Sequence, residues 1–64
     1  MTGEELKTAF LNEKPVISKG IEYLKISAVI YRKQGGRVMV QAELLDKGLN
    51  SVTIAAAANI EAKE

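Results

Sequence analysis

Residues 23–46, YLKISAVIYRKQGGRVMVQAELLD, decide the fold of this chain. In the first half the even positions Leu24, Ile26, Ala28 and Ile30 are apolar, against a mixed set of Tyr23, Lys25, Ser27, Val29, Tyr31 and Lys33 at the odd ones. This period of two describes a strand with one buried face. In the second half Val38, Val40, Ala42 and Leu44 repeat the even pattern against Arg37, Met39, Gln41 and Glu43. The matching parity predicts a hairpin in which even residues pair with even. A two-residue turn at Gly35-Gly36 would set Ile30 opposite Gln41 and bury the wrong face of one strand. A three-residue loop over Gln34, Gly35 and Gly36 sets Lys33 opposite Arg37, Ile30 opposite Val40 and Ala28 opposite Ala42, with Gly36 free to take a positive φ.

Working outward from the hairpin, Thr2-Gly3-Glu4-Glu5 fits a capping box, and Leu6 and Phe10 at i and i+4 predict a short helix over residues 3–12 that is stable only if it docks. Pro15 stops it, and residues 15–18 read as a brief first strand turning through Ser18-Lys19-Gly20 into the long strand over 21–33. The register of that first turn stays open between a two-residue and a three-residue form. After the strand over 37–46, the turn residues Asp46, Lys47, Gly48, Leu49 and Asn50 lead into a strand over 51–55. A loop of Lys47, Gly48 and Leu49 would set Leu44 against Val52 and Ala42 against Ile54. The tail from Ala56 to Glu64 reads as one helical turn followed by a closing strand over 60–62, with a continuous helix as the competing form. The expected architecture is mainly β: a single domain over residues 1–64, a five-stranded antiparallel barrel of the SH3-like or Sm-like kind with a short N-terminal helix, curled to remove its open edges.

A chain of 64 residues makes one small domain that buries roughly 60% of the surface its unfolded form exposes. It contains no cysteine, so neither a disulfide framework nor a thiolate metal site props it up. No run is long enough to cross a bilayer, and Glu4 and Glu5 stand where a signal peptide carries positive charge, so a cytoplasmic location is expected, with no membrane partner. The net charge of +1 is uninformative, but its distribution is not: no acid lies between Glu22 and Glu43, while Lys25, Arg32, Lys33 and Arg37 fall in that gap.

Three stretches, Lys25-Ile26-Ser27-Ala28-Val29-Ile30-Tyr31-Arg32, Ala42-Glu43-Leu44-Leu45-Asp46-Lys47 and Asn50-Ser51-Val52-Thr53-Ile54-Ala55, resemble a group of short proteins of unknown function encoded on conjugative transposons and phages of Gram-positive bacteria. The resemblance covers roughly the last two thirds of the chain and rests on strand patterns. It implies a mobile-element setting and a β fold, and no activity.

Enzyme chemistry has little to work with. The chain has no histidine for proton transfer at neutral pH and no cysteine nucleophile. Glu43 and Asp46 are three apart on a strand, hence on opposite faces, Ser27 and Ser51 lack a nearby base, and Gly35-Gly36 lacks the spacing of a phosphate loop. No catalytic residue, metal site, cofactor or small-molecule substrate is expected. One constellation stands out, the odd face of the central hairpin, where Tyr23, Lys25, Tyr31, Lys33, Arg37 and Met39 would project together. Tyr31 opposite Met39 makes an apolar patch that suits a protein partner or self-association, the first expectation for function. The interleaving of aromatic and basic residues also suits single-stranded nucleic acid, the alternative. The plain structural reading is that tyrosines favour exposed strand faces and that lysines near a hairpin tip guard it against edge pairing.

Overall fold

The computed structural model describes residues 1–63 and has the order helix α1 (Gly3–Leu11), strands β1 (Val16–Ser18), β2 (Ile21–Tyr23), β3 (Lys25–Gln34), β4 (Arg37–Leu45) and β5 (Val52–Ala56), one 3₁₀ turn (Ala57–Asn59), and β6 (Ile60–Ala62). Among the described residues six strands, not five, form two three-stranded antiparallel sheets, β2-β1-β6 and β3-β4-β5, and they do not close into a barrel. The strand expected over 21–33 divides at Leu24, whose amide donates to the Leu45 carbonyl at 2.9 Å, so that β2 serves one sheet and β3 the other. The mainly β class, the N-terminal helix and the helical turn before a last strand are as expected; Glu64, the end of that tail, lies outside the described residues.

Helix α1 has both ends closed by its own sequence. The Thr2 hydroxyl accepts from the Glu5 amide at 3.1 Å and the Glu5 carboxylate accepts from the Thr2 amide at 2.8 Å, the expected capping box. At the other end Lys14 N–H donates to Ala9 and Glu13 N–H to Phe10, a Schellman motif in which Glu13 takes the left-handed conformation (φ 50°) usually given to glycine. The Met1 amino group donates to the carbonyls of Ala57 and Ile60, both at 2.8 Å, tying the helix start to the end of the chain. Leu6 and Ala9 of α1 then complete a core with Val16, Tyr23, Ile26, Ala42, Leu44 and Ile60. Ser18, buried among them, satisfies its hydroxyl by donating to the Asn59 carbonyl at 2.8 Å.

The central hairpin corrects the expected register. Its turn is the two-residue form: Gln34 pairs with Arg37, Tyr31 with Val40, and Ile30 with Gln41, where Ile30 opposite Val40 was expected. Gly35 and Gly36 both have positive φ, 58° and 79°, the signature of a type I′ turn, whose twist matches that of the flanking strands. Such a turn sets odd against even, as the alternation forbids, and the conflict is absorbed by a β-bulge. The register shifts at Ser27, so that Ala28 faces Glu43 while Ile26 faces Leu44. The inward face therefore carries Ile26 and Leu44 at the base but Val29 with Ala42 and Tyr31 with Val40 further out. Ala28 and Ile30, expected inside, lie on the outward face.

The mismatch is tolerated toward the tip because none of the described elements covers it there. Every residue from Tyr31 to Met39 is exposed, and the hairpin gives the molecule extents of 36 × 22 × 20 Å. The next connection is corrected too. Asp46 N–H donates to the Ser51 carbonyl at 3.1 Å, which makes the loop four residues long and pairs Leu45 with Val52 and Leu44 with Thr53, in place of Leu44 with Val52. Ala42 thus faces Ala55, not Ile54. The first turn resolves to the two-residue form, Ser18 pairing with Ile21 across Lys19 and Gly20, both at positive φ.

Two stability outcomes follow from these positions. Ile26→Ala, in the closed core, should cost about 2 to 5 kcal/mol in urea melts, and Ile30→Ala, on the outward face, distinctly less. Lys19→Asn should stabilise the protein by about 0.5 to 2 kcal/mol, because asparagine accepts the left-handed conformation that Lys19 holds at φ 51° and completes the Asn-Gly pair that type I′ turns prefer.

Candidate interaction surface

The bulge at Ser27 and the loop at Asp46 together decide which side chains the β3-β4-β5 sheet shows to its exterior. Helix α1 and the small sheet both pack on the inward face, where Val40 meets the helix start close to Gly3. The outward face therefore carries Ala28, Ile30 and Arg32 from β3, Met39, Gln41, Glu43 and Leu45 from β4, and Val52, Ile54 and Ala56 from β5, as their cross-strand pairing requires. None of the described elements covers it. Met39, Val52 and Ile54 keep 45%, 49% and 46% of their surface exposed, high values for large apolar side chains that share one sheet face.

Its polar members are fixed. The bulged Ser27 hydroxyl lies 3.1 Å from the Glu43 carbonyl oxygen and 2.8 Å from the Glu43 carboxylate, a forked arrangement that locks the bulge and aims the carboxylate across the sheet. Arg32 Nε donates to Gln41 Oε1 at 2.7 Å, forming a cross-strand bridge beside Met39. The result is a polar strip along the middle of the sheet with apolar residues on both sides.

The residues expected to share one face are dispersed. Tyr23, with 8% of its surface exposed, belongs to the core of the small sheet and presents nothing outside. Lys25 is engaged by Glu13 at 2.8 Å and closes the helix terminus against β3. Tyr31, 61% exposed, and Lys33 lie on the continuation of the inward face, where they pair with Val40 and Val38. Met39 is paired with Arg32 and Arg37 with Gln34, both on the opposite face, so the expected Tyr31–Met39 patch does not form. The residues missed by alternation alone are Ile30, Val52 and Ile54. A signal for the last two was present, since residues 48–60 contain no charged side chain at all.

Charge instead gathers at the joint between the two sheets. Glu22 of β2 meets Lys63 at 2.7 Å and Lys47 of the β4–β5 loop at 2.9 Å, and the hydrogen bond from Lys63, then that from Lys47, hold its carboxyl below the ordinary value of 4.5. Asp46 is held below 3.8, first by the Asn50 amide and then by the Ser51 hydroxyl, at 2.9 Å each. Among the described residues no three histidine, cysteine, aspartate or glutamate side chains gather as a metal site, and no helix is long and apolar enough to cross a membrane.

No family model, no curated protein and no solved structure matches this chain.

Because the folded carboxyls of Glu22 and Asp46 are depressed, their stabilising contribution is complete above the unfolded values near 4.5 and 3.8 and is lost as the pH falls through the lower folded values. Urea midpoints should therefore be flat from about pH 7 down to about pH 5 and decline below about pH 4.5. Glu22→Gln should reduce that decline; an undiminished acid sensitivity would show that the Glu22 bridge contributes nothing.

Proposed function

We propose that this chain is a small non-enzymatic binding module whose outward sheet face takes a protein partner. The observation that carries this reading is the exposure of Val52 and Ile54 on β5 and of Met39 nearer the hairpin tip, three large apolar side chains on the uncovered face of a sheet whose other face is filled by the core. A domain this small has few large apolar side chains, and placing several of them half-exposed costs burial that a partner restores. The polar strip of Glu43, Gln41 and Arg32 gives such a partner hydrogen-bonding positions that fix its orientation. The setting implied by the resemblance of the strand motifs, a mobile genetic element, is compatible with a companion subunit encoded beside it.

The nucleic-acid reading keeps a narrower basis: Tyr31 and Lys33 on one face of the protruding hairpin, with Arg32 and Arg37 near the tip on the other. It loses Tyr23 to the core and Lys25 to its ion pair.

The test is site-specific photo-crosslinking in cells that make the protein, with the reactive side chain at Met39 and, as a control, at Val38 on the opposite face. A discrete protein adduct from position 39 and none from position 38 supports the proposal; no adduct from 39, or an equal yield from both, overturns it. Titration of labelled single-stranded DNA and RNA at about 50 and 200 mM salt runs beside it, and tight salt-sensitive binding that Tyr31→Ala weakens by about 1 to 3 kcal/mol would favour the alternative.

A further inference from the structure

The four sheet edges of this molecule are not protected alike. Edge strand β3 is broken by the Ser27 bulge and carries Lys25, Arg32 and Lys33; β2 carries Glu22 in its double ion pair; β6 carries Glu61 and is followed by Lys63. These are the usual devices that prevent edge-to-edge pairing. Strand β5 has none of them. Its sequence Val52-Thr53-Ile54-Ala55-Ala56 is regular, apolar and uncharged, lies within the uncharged run 48–60, and pairs only with β4. A cleft of about 170 Å³, lined by Lys19, Ile21 and Tyr23 on one side and Thr53, Ile54 and Ala55 on the other, separates it from the β1–β2 turn.

The direction of its free backbone groups follows from the ladder. Asp46 N–H donates to the Ser51 carbonyl, so that opposed pair is a hydrogen-bonded one, and alternation makes Leu44–Thr53 and Ala42–Ala55 hydrogen-bonded as well. Val52 and Ile54 therefore point both their N–H and C=O groups away from β4, and Ala56 its N–H, while the Ala56 carbonyl caps the 3₁₀ turn that follows. These groups are spaced two residues apart, as a new antiparallel neighbour requires.

We propose that β5 pairs with β5 of a second copy of this chain across a two-fold axis at Ile54. It rests on the reading of the chain as a protein-interaction module and adds to the outward face a second surface, the β5 edge, whose occupant is another copy. Centring the axis on Ile54 sets Ile54 opposite its own counterpart, with both bonds exchanged, and Val52 opposite Ala56 of the second copy, where the Ala56 amide donates to the Val52 carbonyl. A shift by two in either direction leaves some of them unpaired. Neither paired strand carries a charge, the larger Val52 side chain falls beside the small Ala56, and the two outward faces join into one six-stranded sheet with an apolar stripe across its centre. Pairing β3 with β3 would bring Arg32, Lys33 and Lys25 of two copies together at a bulged edge. Because the contact uses the same strand on both chains it is closed, and the charged outer edges that remain stop growth at the dimer.

The experiment is sedimentation velocity of the full chain from micromolar to millimolar concentration, with three variants. Wild type should move from 7.0 kDa toward twice that mass and no further. Ala56→Pro is the critical variant: the native φ of −69° already suits proline, and the amide it removes points away from β4. Its monomer should melt at or above the wild-type temperature, while its dimer dissociation constant should rise about tenfold or more through the hydrogen bonds lost on both chains. Ile54→Lys, whose lysine sits beside Glu43 in its own chain, should be monomeric, and an equimolar mixture with Ile54→Glu should recover the dimer mass. A wild-type chain that stays monomeric to millimolar concentration overturns the proposal, as does growth beyond the dimer or association that neither variant weakens. Ala56→Pro leaves Met39, Val52 and Ile54 in place, so a monomeric wild type that still yields the Met39 adduct overturns the edge pairing and spares the interaction reading. A dimer that persists where Met39 yields no adduct does the reverse.

Discussion

The structure depends on one extra residue. A type I′ turn at Gly35-Gly36 sets the pairing parity at the tip of the central hairpin, and burial of Ile26 against Leu44 sets the opposite parity at its base. No regular ladder satisfies both. Ser27 resolves the conflict as a bulge, and its hydroxyl bridges to the Glu43 carbonyl and carboxylate at the point where the ladder is interrupted. Beyond the bulge every side chain of β3 has changed face, and the outward surface is a consequence of that change.

The same sheet shows how a core this small is closed. Its inward face is too narrow to protect itself, and helix α1 covers it only because both helix ends are secured: the capping box and the Met1 amino group at the start, the Schellman turn with the Glu13–Lys25 pair at the end. An isolated helix of nine residues would not persist in water, so these end contacts and the burial of Leu6 and Ala9 support one another. The small sheet performs the matching role from the other side through Val16, Tyr23 and Ile60, and the ion pairs of Glu22 with Lys47 and Lys63 hold it to the β4–β5 loop.

What is left uncovered is the outward face and the β5 edge, and these are continuous with each other. Val52 and Ile54 belong to both: their side chains lie on the outward face and their backbone groups line the edge. A partner that pairs with the edge therefore also extends the face, whereas a partner that lies on the face can leave the edge free. The distinction separates recognition by backbone from recognition by side chains on one strand.

The sequence by itself determined the elements. The capping box located α1, the Gly-Gly and Lys-Gly pairs located two turns, Pro15 ended the first segment, and alternation identified the strands, because each of these signals acts through neighbours a few residues away. It did not determine which face of those strands is buried. Alternation assigns a face only relative to adjacent residues, and a single bulge or a loop longer by one residue reverses the assignment for everything beyond it. The bulge at Ser27 is selected by a contact distant in sequence, the packing of Ile26 on Leu44, and the four-residue loop after Asp46 by the closure of Asp46 on Ser51 and Asn50, which alternation does not register. For this reason Tyr31 and Met39 are on opposite faces and Val52 and Ile54 are exposed, while the division of the strand at Leu24 puts Tyr23 in the core of the small sheet: only the tertiary structure fixed where the parity changes.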